Sequence, residues 1–314
     1  MLYSYHKPFI SFKLKFCVSN NKMGNLSLTS IIRAGFARVI VEAIPIPKDY
    51  FQGSRNCIVE PKTKNYSIVG TAFDYLLRSY LKFLHPDAVE VSIIGLHSFK
   101  YVENVIKLFG KVELKNKTLG KDDLRSIERV VKEYLKEKEE YLANGKLTRR
   151  YVELTISFAR LDSIYRASMY DDVDAPVDER DIDDLIDLYN IVPDELKNGK
   201  GKYLLNPDFR EVSSLVGGAD VDLIIGNTMI DVKTTKEMKL DEYTWSQLVG
   251  YLMLADEARS RYSDFPYIEN IGIYYSRYGK LWTIGADYVR SNSDYQEVKE
   301  KLLSYYKVEK SKPS

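Results

Sequence analysis

Gly217-Gly218-Ala219-Asp220-Val221-Asp222-Leu223-Ile224-Ile225-Gly226-Asn227-Thr228-Met229-Ile230-Asp231-Val232-Lys233-Thr234-Thr235-Lys236 is the stretch on which the fold turns. Apolar and polar side chains alternate on both sides of Gly226-Asn227, which is the period of a strand. Val221 and Leu223 point one way and Asp220 and Asp222 the other; beyond the turn, Ile230 and Val232 oppose Asp231 and Lys233. Gly226-Asn227 is a two-residue turn of the kind that closes hairpins. If that turn sets the register, Ile225 faces Thr228, Asp222 faces Asp231 and Asp220 faces Lys233. Directly opposed residues have Cβ atoms about 5 Å apart, where like charges destabilise the pair. A divalent cation resolves the conflict, because hard cations take converging oxygen ligands. The competing reading is a solvated polar face on an edge hairpin, with Asp220–Lys233 as a surface ion pair and a register free to slip.

Downstream, residues 241–258 (Asp-Glu-Tyr-Thr-Trp-Ser-Gln-Leu-Val-Gly-Tyr-Leu-Met-Leu-Ala-Asp-Glu-Ala) have helical composition. Gln247 and Tyr251 are separated by one helical repeat and share a face. Leu248, Leu252 and Ala255 line the neighbouring face, which Val249 and Met253 widen. Taken singly, Gln247 reads as an exposed amide and Tyr251 as a half-buried core tyrosine. Upstream, Gly70-Thr71-Ala72-Phe73-Asp74 opens a segment in which Leu77, Tyr80, Leu81 and Leu84 recur at helical spacing, so a helix is expected from about 70 to 84, stopped by Pro86.

Asp222, then Asp231-Val232-Lys233, then Gln247-Leu248-Val249-Gly250-Tyr251 resemble, in order and spacing, the PD-(D/E)XK nuclease superfamily. The match is to its RecB-like, Cas4-like and lambda-exonuclease-like branch. That family pattern is an acidic residue on one strand, Asp/Glu-x-Lys on the next, and Gln-x-x-x-Tyr on the following helix. The branch also carries Gly-x-x-x-His at the start of its first core helix; here Gly70 is followed by Asp74 in the histidine's place. The resemblance implies a restriction-endonuclease-like αβββαβ core, a mixed central sheet flanked by helices. It also implies a metal site in which Asp222, Asp231 and the backbone carbonyl of Val232 bind Mg²⁺ or Mn²⁺, with Asp74 as a third carboxylate. The alternative for Asp74 is an i,i+4 ion pair with Arg78, worth a few tenths of a kcal/mol on a helix surface. By the same resemblance Lys233 orients the attacking water and stabilises charge on the phosphate, and Gln247 and Tyr251 position the site.

Composition sets the bounds. The chain has 314 residues, 45% hydrophobic and 29% charged, enough for one large core or two small ones. With 46 basic and 45 acidic side chains the net charge is +1, so any surface for nucleic acid must be local. Two cysteines, Cys17 and Cys57, are too few for a disulfide scaffold or for the iron–sulfur cluster usual in the Cas4 branch. A reducing cytoplasm is the expected compartment. No run reaches the roughly 18 apolar residues of a membrane span. Met1 to Phe16 lack the apolar core and cleavage site of a signal peptide, and Met23 is a candidate true start.

Between the first core helix and the hairpin, residues 121–145 read as a charged helix ending at Asn144-Gly145, and 148–169 as another with Tyr151, Leu154, Phe158, Leu161 and Tyr165 on one stripe. The acidic run from Asp171 to Asp184 lacks calcium-loop spacing; it reads as a loop leading into a helix over Ile182–Tyr189, capped by Asp178 or Asp181. Val39-Ile40-Val41-Glu42-Ala43-Ile44 reads as extended. Strands are expected at 271–275 and 281–284 and a closing helix at 295–306. The organisation expected is a first part of the core over 23–98, a helical insertion over 99–202 and a catalytic part over 203–314. The function expected is a metal-dependent nuclease hydrolysing phosphodiester bonds of nucleic acid, with DNA the first candidate and no membrane partner. Its rivals are a catalytically silent nucleic-acid-binding or assembly protein on the same fold, and a metal-binding α/β protein that is no nuclease; intact Asp222, Asp231 and Lys233 oppose the former, Gln247 with Tyr251 the latter.

Overall fold

The computed structural model describes residues 27–48, 50 and 56–311, with side chains through Tyr305. Cys17, Met23 and the stretch Met1 to Phe16 lie outside the described residues. In chain order the elements are α1 (Leu28–Ile31), α2 (Ala37–Ala43), α3 (Tyr66–Leu84), β1 (Val89–Glu90), α4 (Ile94–Phe109), β2 (Val112–Glu113), β3 (Thr118–Leu119) and α5 (Lys121–Asn144). They continue with α6 (Arg149–Ala159), α7 (Asp162–Ala167), α8 (Glu179–Asn190), α9 (Asp194–Lys197), β4 (Tyr203–Leu205), β5 (Leu223–Ile225) and β6 (Thr228–Lys233). Last come α10 (Glu242–Arg261), β7 (Asn270–Tyr275), β8 (Lys280–Gly285), α11 (Asp287–Arg290) and α12 (Tyr295–Ser311).

The protein is a mixed α/β fold. A six-stranded sheet runs β1-β4-β5-β6-β7-β8, with β1–β4 and β6–β7 parallel and the other pairs antiparallel. The β5–β6 hairpin closes in the expected register, Ile225 opposite Thr228 and Leu223 opposite Ile230. Gly226 enables the turn: its φ is +58°, and a Cβ there would lie 2.3 Å from the Lys200 carbonyl oxygen. Alternation then divides the strands between two cores. Leu223, Ile225 and Ile230 join Phe73, Leu76, Tyr134, Phe158 and Leu185 from α3, α5, α6 and α8 on one face. Ile224, Met229, Ile271 and Ile273 meet Trp245, Leu248, Val249 and Leu252 of α10 on the other. The helices between α3 and the hairpin thus share one continuous core with α3 and the sheet, and α4 runs through residue 99.

α10 is buried all round from Trp245 to Ala255, Ser246 and Gln247 included. Asp241 caps it by accepting the Thr244 amide at 2.9 Å. Its outer side is covered by α2, and here the extended reading of Val39–Ile44 is overturned. The segment is helical because Ile40 and Ile44, one turn apart, drop into the α10 core, while the Ile44 carbonyl accepts the Trp245 indole N–H at 2.9 Å. Tertiary packing outweighs the β-propensity of Val, Ile and Val. The helix expected over 148–169 divides into α6 and α7 at Arg160-Leu161, where buried Leu161 turns inward. Asp178 caps α8, accepting the Arg180 amide at 2.9 Å, whereas Asp181 lies inside the helix and accepts from Thr63 and Asn65. No helix among the described residues is long and apolar enough to cross a membrane.

Candidate active site

Asp222 precedes β5 by one residue, and both its ends are tied down. Its carbonyl accepts the Asn206 amide at 2.8 Å, and its carboxylate Oδ2 accepts the Val232 amide of β6 at 2.6 Å. Continuing the hairpin register by one step sets Asp222 opposite Asp231. Asp231 is buried, at 4% exposure, and its Oδ2 lies 2.8 Å from Lys233 Nζ. From there a polar chain runs onto α10. Lys233 Nζ donates to Gln247 Oε1 at 2.8 Å, and Gln247 Nε2 donates to the Tyr251 hydroxyl at 2.9 Å. A donor-only ammonium fixes the amide in that sense. Phe209 lies against the Tyr251 ring, centroids 5.9 Å apart. Asp222, Asp231, Lys233, Gln247 and Tyr251 are therefore brought together on the α10 side of the sheet. Asp220 does not reach Lys233. It bridges to Asp208 and pairs at 3.6 Å with Arg166 of α7, so the surface pair of the competing reading is absent.

Asp74 stands on α3, one turn beyond Gly70, which abuts Thr234 at the end of β6. Its Oδ2 accepts from Arg78 Nη2 at 2.6 Å, as the i,i+4 alternative anticipates. That pair is not on an outer surface: Arg78 is 1% exposed, and the Asp74 Oδ1 is buried with no hydrogen-bond partner. Arg78 also reaches Glu90 at 3.4 Å and the Ser92 carbonyl at 3.0 Å, and Lys138 of α5 closes on Glu90 at 2.6 Å. On the far side, Asp162 of α7 accepts the Tyr75 hydroxyl at 2.6 Å, and the same hydroxyl accepts the Gly95 amide. Arg166 lies 3.6 Å from Asp162.

The electrostatics follow from this crowding. Burial, then the carboxylates of Asp231 and Asp74, push the Asp222 carboxyl well above the usual range, against the pull of the Val232 amide and Lys233. Burial also raises Asp74, opposed by Arg78 and Arg166 and assisted by Asp220. Burial lifts Asp162 to about 6 despite Arg166 and the Tyr75 hydrogen bond. For Lys233, burial works to remove the proton but Asp231, with Asp222 behind it, overrules it and the pKa is raised. Burial and then the charges of Asp231, Asp220 and Asp222 hold the Tyr251 phenol protonated far above its usual range. The groups named here are six carboxylates (Asp74, Glu90, Asp162, Asp220, Asp222, Asp231) and four cations (Arg78, Lys138, Arg166, Lys233), and Lys82 acts on Glu90 as well.

Whether a divalent cation fits is decided by these donors. They are hard oxygens, and one is buried without a hydrogen-bond partner. Among the described residues no three His, Cys, Asp or Glu side chains stand together as a ready cation site. The reason is visible in their partners: Asp74 turns Oδ2 to Arg78, Asp222 to the Val232 amide and Asp231 to Lys233. The Asp162–Arg166–Asp220 bridge and the Arg78–Glu90–Lys138 chain are not legible in the sequence; their members are scattered from residue 78 to 220, and the local signals are the i,i+4 pairs Asp74–Arg78 and Asp162–Arg166. No protein-family model, no curated protein and no solved structure matches this chain.

Proposed function

We propose that the protein is a Mg²⁺- or Mn²⁺-dependent nuclease of the PD-(D/E)XK type that hydrolyses phosphodiester bonds of nucleic acid, DNA first. The observation that carries this reading is the like-charged pair Asp222–Asp231, held across a hairpin beside half-buried Asp74, whose Oδ1 is buried without a hydrogen-bond partner. Three carboxylates drawn together, Asp231 buried and Asp74 and Asp222 half-buried, are costly unless a cation or protons compensate. The succession α3, β4, β5, β6, α10, β7, with β4–β5–β6 antiparallel and β6–β7 parallel, fits the αβββαβ core of that superfamily. Asp222, Asp231 and Asp74 would hold the ion, with the Val232 carbonyl as a further oxygen ligand. When bound, the ion supplies a Lewis acid for the scissile phosphate and lowers the pKa of an attacking water. Lys233, kept protonated by Asp231, presents donors to the water and to charge developing on the phosphate. Gln247 fixes the direction of that ammonium, and Tyr251 fixes Gln247.

Purified protein incubated with labelled single- and double-stranded DNA in Mg²⁺, Mn²⁺ or EDTA tests the reading. Cleavage in either metal and none in EDTA is the expected result. The rival, a silent nucleic-acid-binding protein on the same fold, draws on the engagement of every site carboxylate with a protein partner. DNA binding without cleavage in any divalent metal would establish the rival.

A further inference from the structure

The four cations of the site are not equivalent. Arg78 and Lys138 are 1% and 8% exposed, and each is consumed by short bonds, Arg78 to Asp74 at 2.6 Å and Lys138 to Glu90 at 2.6 Å. Lys233, 20% exposed, bonds Asp231 and Gln247, both at 2.8 Å. Arg166 is 56% exposed, and its two ion pairs, to Asp162 and Asp220, are both 3.6 Å long. At that separation neither is a good hydrogen bond, so the five donors of the guanidinium are uncommitted while its charge is held in place. The position is built. Leu161 and Ile164 anchor α7 in the core, and Asp162 is fixed by the Tyr75 hydroxyl, itself bound by the Gly95 amide. Asp220 is two residues from Asp222, and Arg166 is close enough to Asp74 for each to shift the other's ionisation.

Resting on the reading of the site as one for nucleic acid, we propose that Arg166, from the helical segment between α3 and the hairpin, binds a backbone phosphate of the substrate at the mouth of the site. A planar fork with free donors suits two phosphate oxygens as an ammonium does not. Asp162 and Asp220 hold the half-exposed guanidinium in place before substrate arrives. Substrate then replaces two long contacts with short charge-assisted ones.

Fluorescence anisotropy of labelled single- and double-stranded DNA, in EDTA and again in Ca²⁺, over a series of salt concentrations tests the assignment. In Arg166→Gln the slope of log K against log[salt] should become shallower by about one, the signature of one lost phosphate contact. Arg166→Lys should keep the slope and lose part of the affinity. An unchanged slope in folded Arg166→Gln overturns the assignment and leaves the nuclease reading standing. Wild-type protein that binds no DNA overturns both, whereas a shallower slope in a protein that never cleaves keeps Arg166 and removes the nuclease. Should Arg166→Gln fail to fold, phenylglyoxal labelling of the wild type decides. DNA should slow modification of Arg166 but not of Arg210, which pairs with Asp264. Equal rates at Arg166 with and without DNA would overturn the assignment.

Discussion

Replacing Asp222 with Asn should stabilise the metal-free protein while removing its response to Mg²⁺. Asp222 and Asp231 face each other across a hairpin, at about 5 Å between Cβ atoms. At an effective dielectric of about 20, two unit charges at that distance repel by roughly 3 kcal/mol. Lys233, 2.8 Å from Asp231, offsets part of this, so the net relief is about 1–2 kcal/mol. The substitution keeps what the carboxylate does locally, because an amide oxygen still accepts the Val232 N–H. In EDTA the variant should therefore melt a few degrees above wild type. In Mg²⁺ at about a hundred times its Kd, wild type gains about 2.7 kcal/mol and overtakes the variant. The sign of the pH dependence follows from the raised pKa. The folded protein holds the Asp222 proton above the ordinary value of 3.8, so this group's contribution is most favourable below that value and is lost as pH rises through the raised one. The EDTA gap between variant and wild type should be widest at neutral pH and close towards about pH 4. Differential scanning calorimetry with and without Mg²⁺ measures both; Asp222→Asn melting below wild type in EDTA would refute the argument.

Three further outcomes are expected. Asp231→Ala should abolish metal-dependent cleavage and Mn²⁺ binding together, whereas Lys233→Ala should abolish turnover yet leave Mn²⁺ binding intact or tighter, since it removes a nearby positive charge; calorimetry and a nuclease assay on both variants check this. Asp162, lifted by burial from 3.8 to about 6, makes the folded state lose stability as pH rises across that interval, so Asp162→Asn, which keeps the acceptor for Tyr75, should flatten the stability profile there. Asp184→Ala should cost about 3–5 kcal/mol in urea unfolding, because it strands Arg277, 1% exposed, whose two terminal nitrogens bond Asp184 at 2.8 and 3.0 Å.

How far the molecule is legible in its sequence depends on whether a feature is written locally. The β5–β6 register, α5 ending at Gly145 with φ +69°, α8 capped by Asp178 and the strands at 270–275 and 280–285 all follow from period, turn and cap. Val39–Ile44 is misread because its β-branched run speaks for a strand while the deciding contacts, to Trp245 and its neighbours, lie some 200 residues away. The α6–α7 break at Arg160-Leu161 carries no Gly or Pro, so a continuous apolar stripe conceals it. β4, which joins β1 to the hairpin, is three residues long and too short for alternation to register.

The candidate site divides along the same line. Asp222, Asp231, Lys233, Gln247 and Tyr251 lie in one hairpin and the next helix; the last four form one polar chain, and Asp222 stands opposite Asp231 with its carboxylate on the Val232 amide. Arg78–Glu90–Lys138 and Asp162–Arg166–Asp220 join segments whose proximity depends on the helices between α3 and the hairpin. Asp74 belongs to both classes. Sequence reasoning sets its pairing with Arg78 against ligation as alternatives, yet a carboxylate has two oxygens. Oδ2 takes the buried guanidinium at 2.6 Å, which restricts the rotamer, and Oδ1 is left buried and unpartnered. A histidine at this position would be neutral and gain nothing from Arg78. An aspartate there adds a negative charge beside Asp222, and Arg78, held by Glu90 and the Ser92 carbonyl, makes that charge tolerable. On the nuclease reading proposed above, the arginine that pairs with Asp74 is what allows a carboxylate in that place.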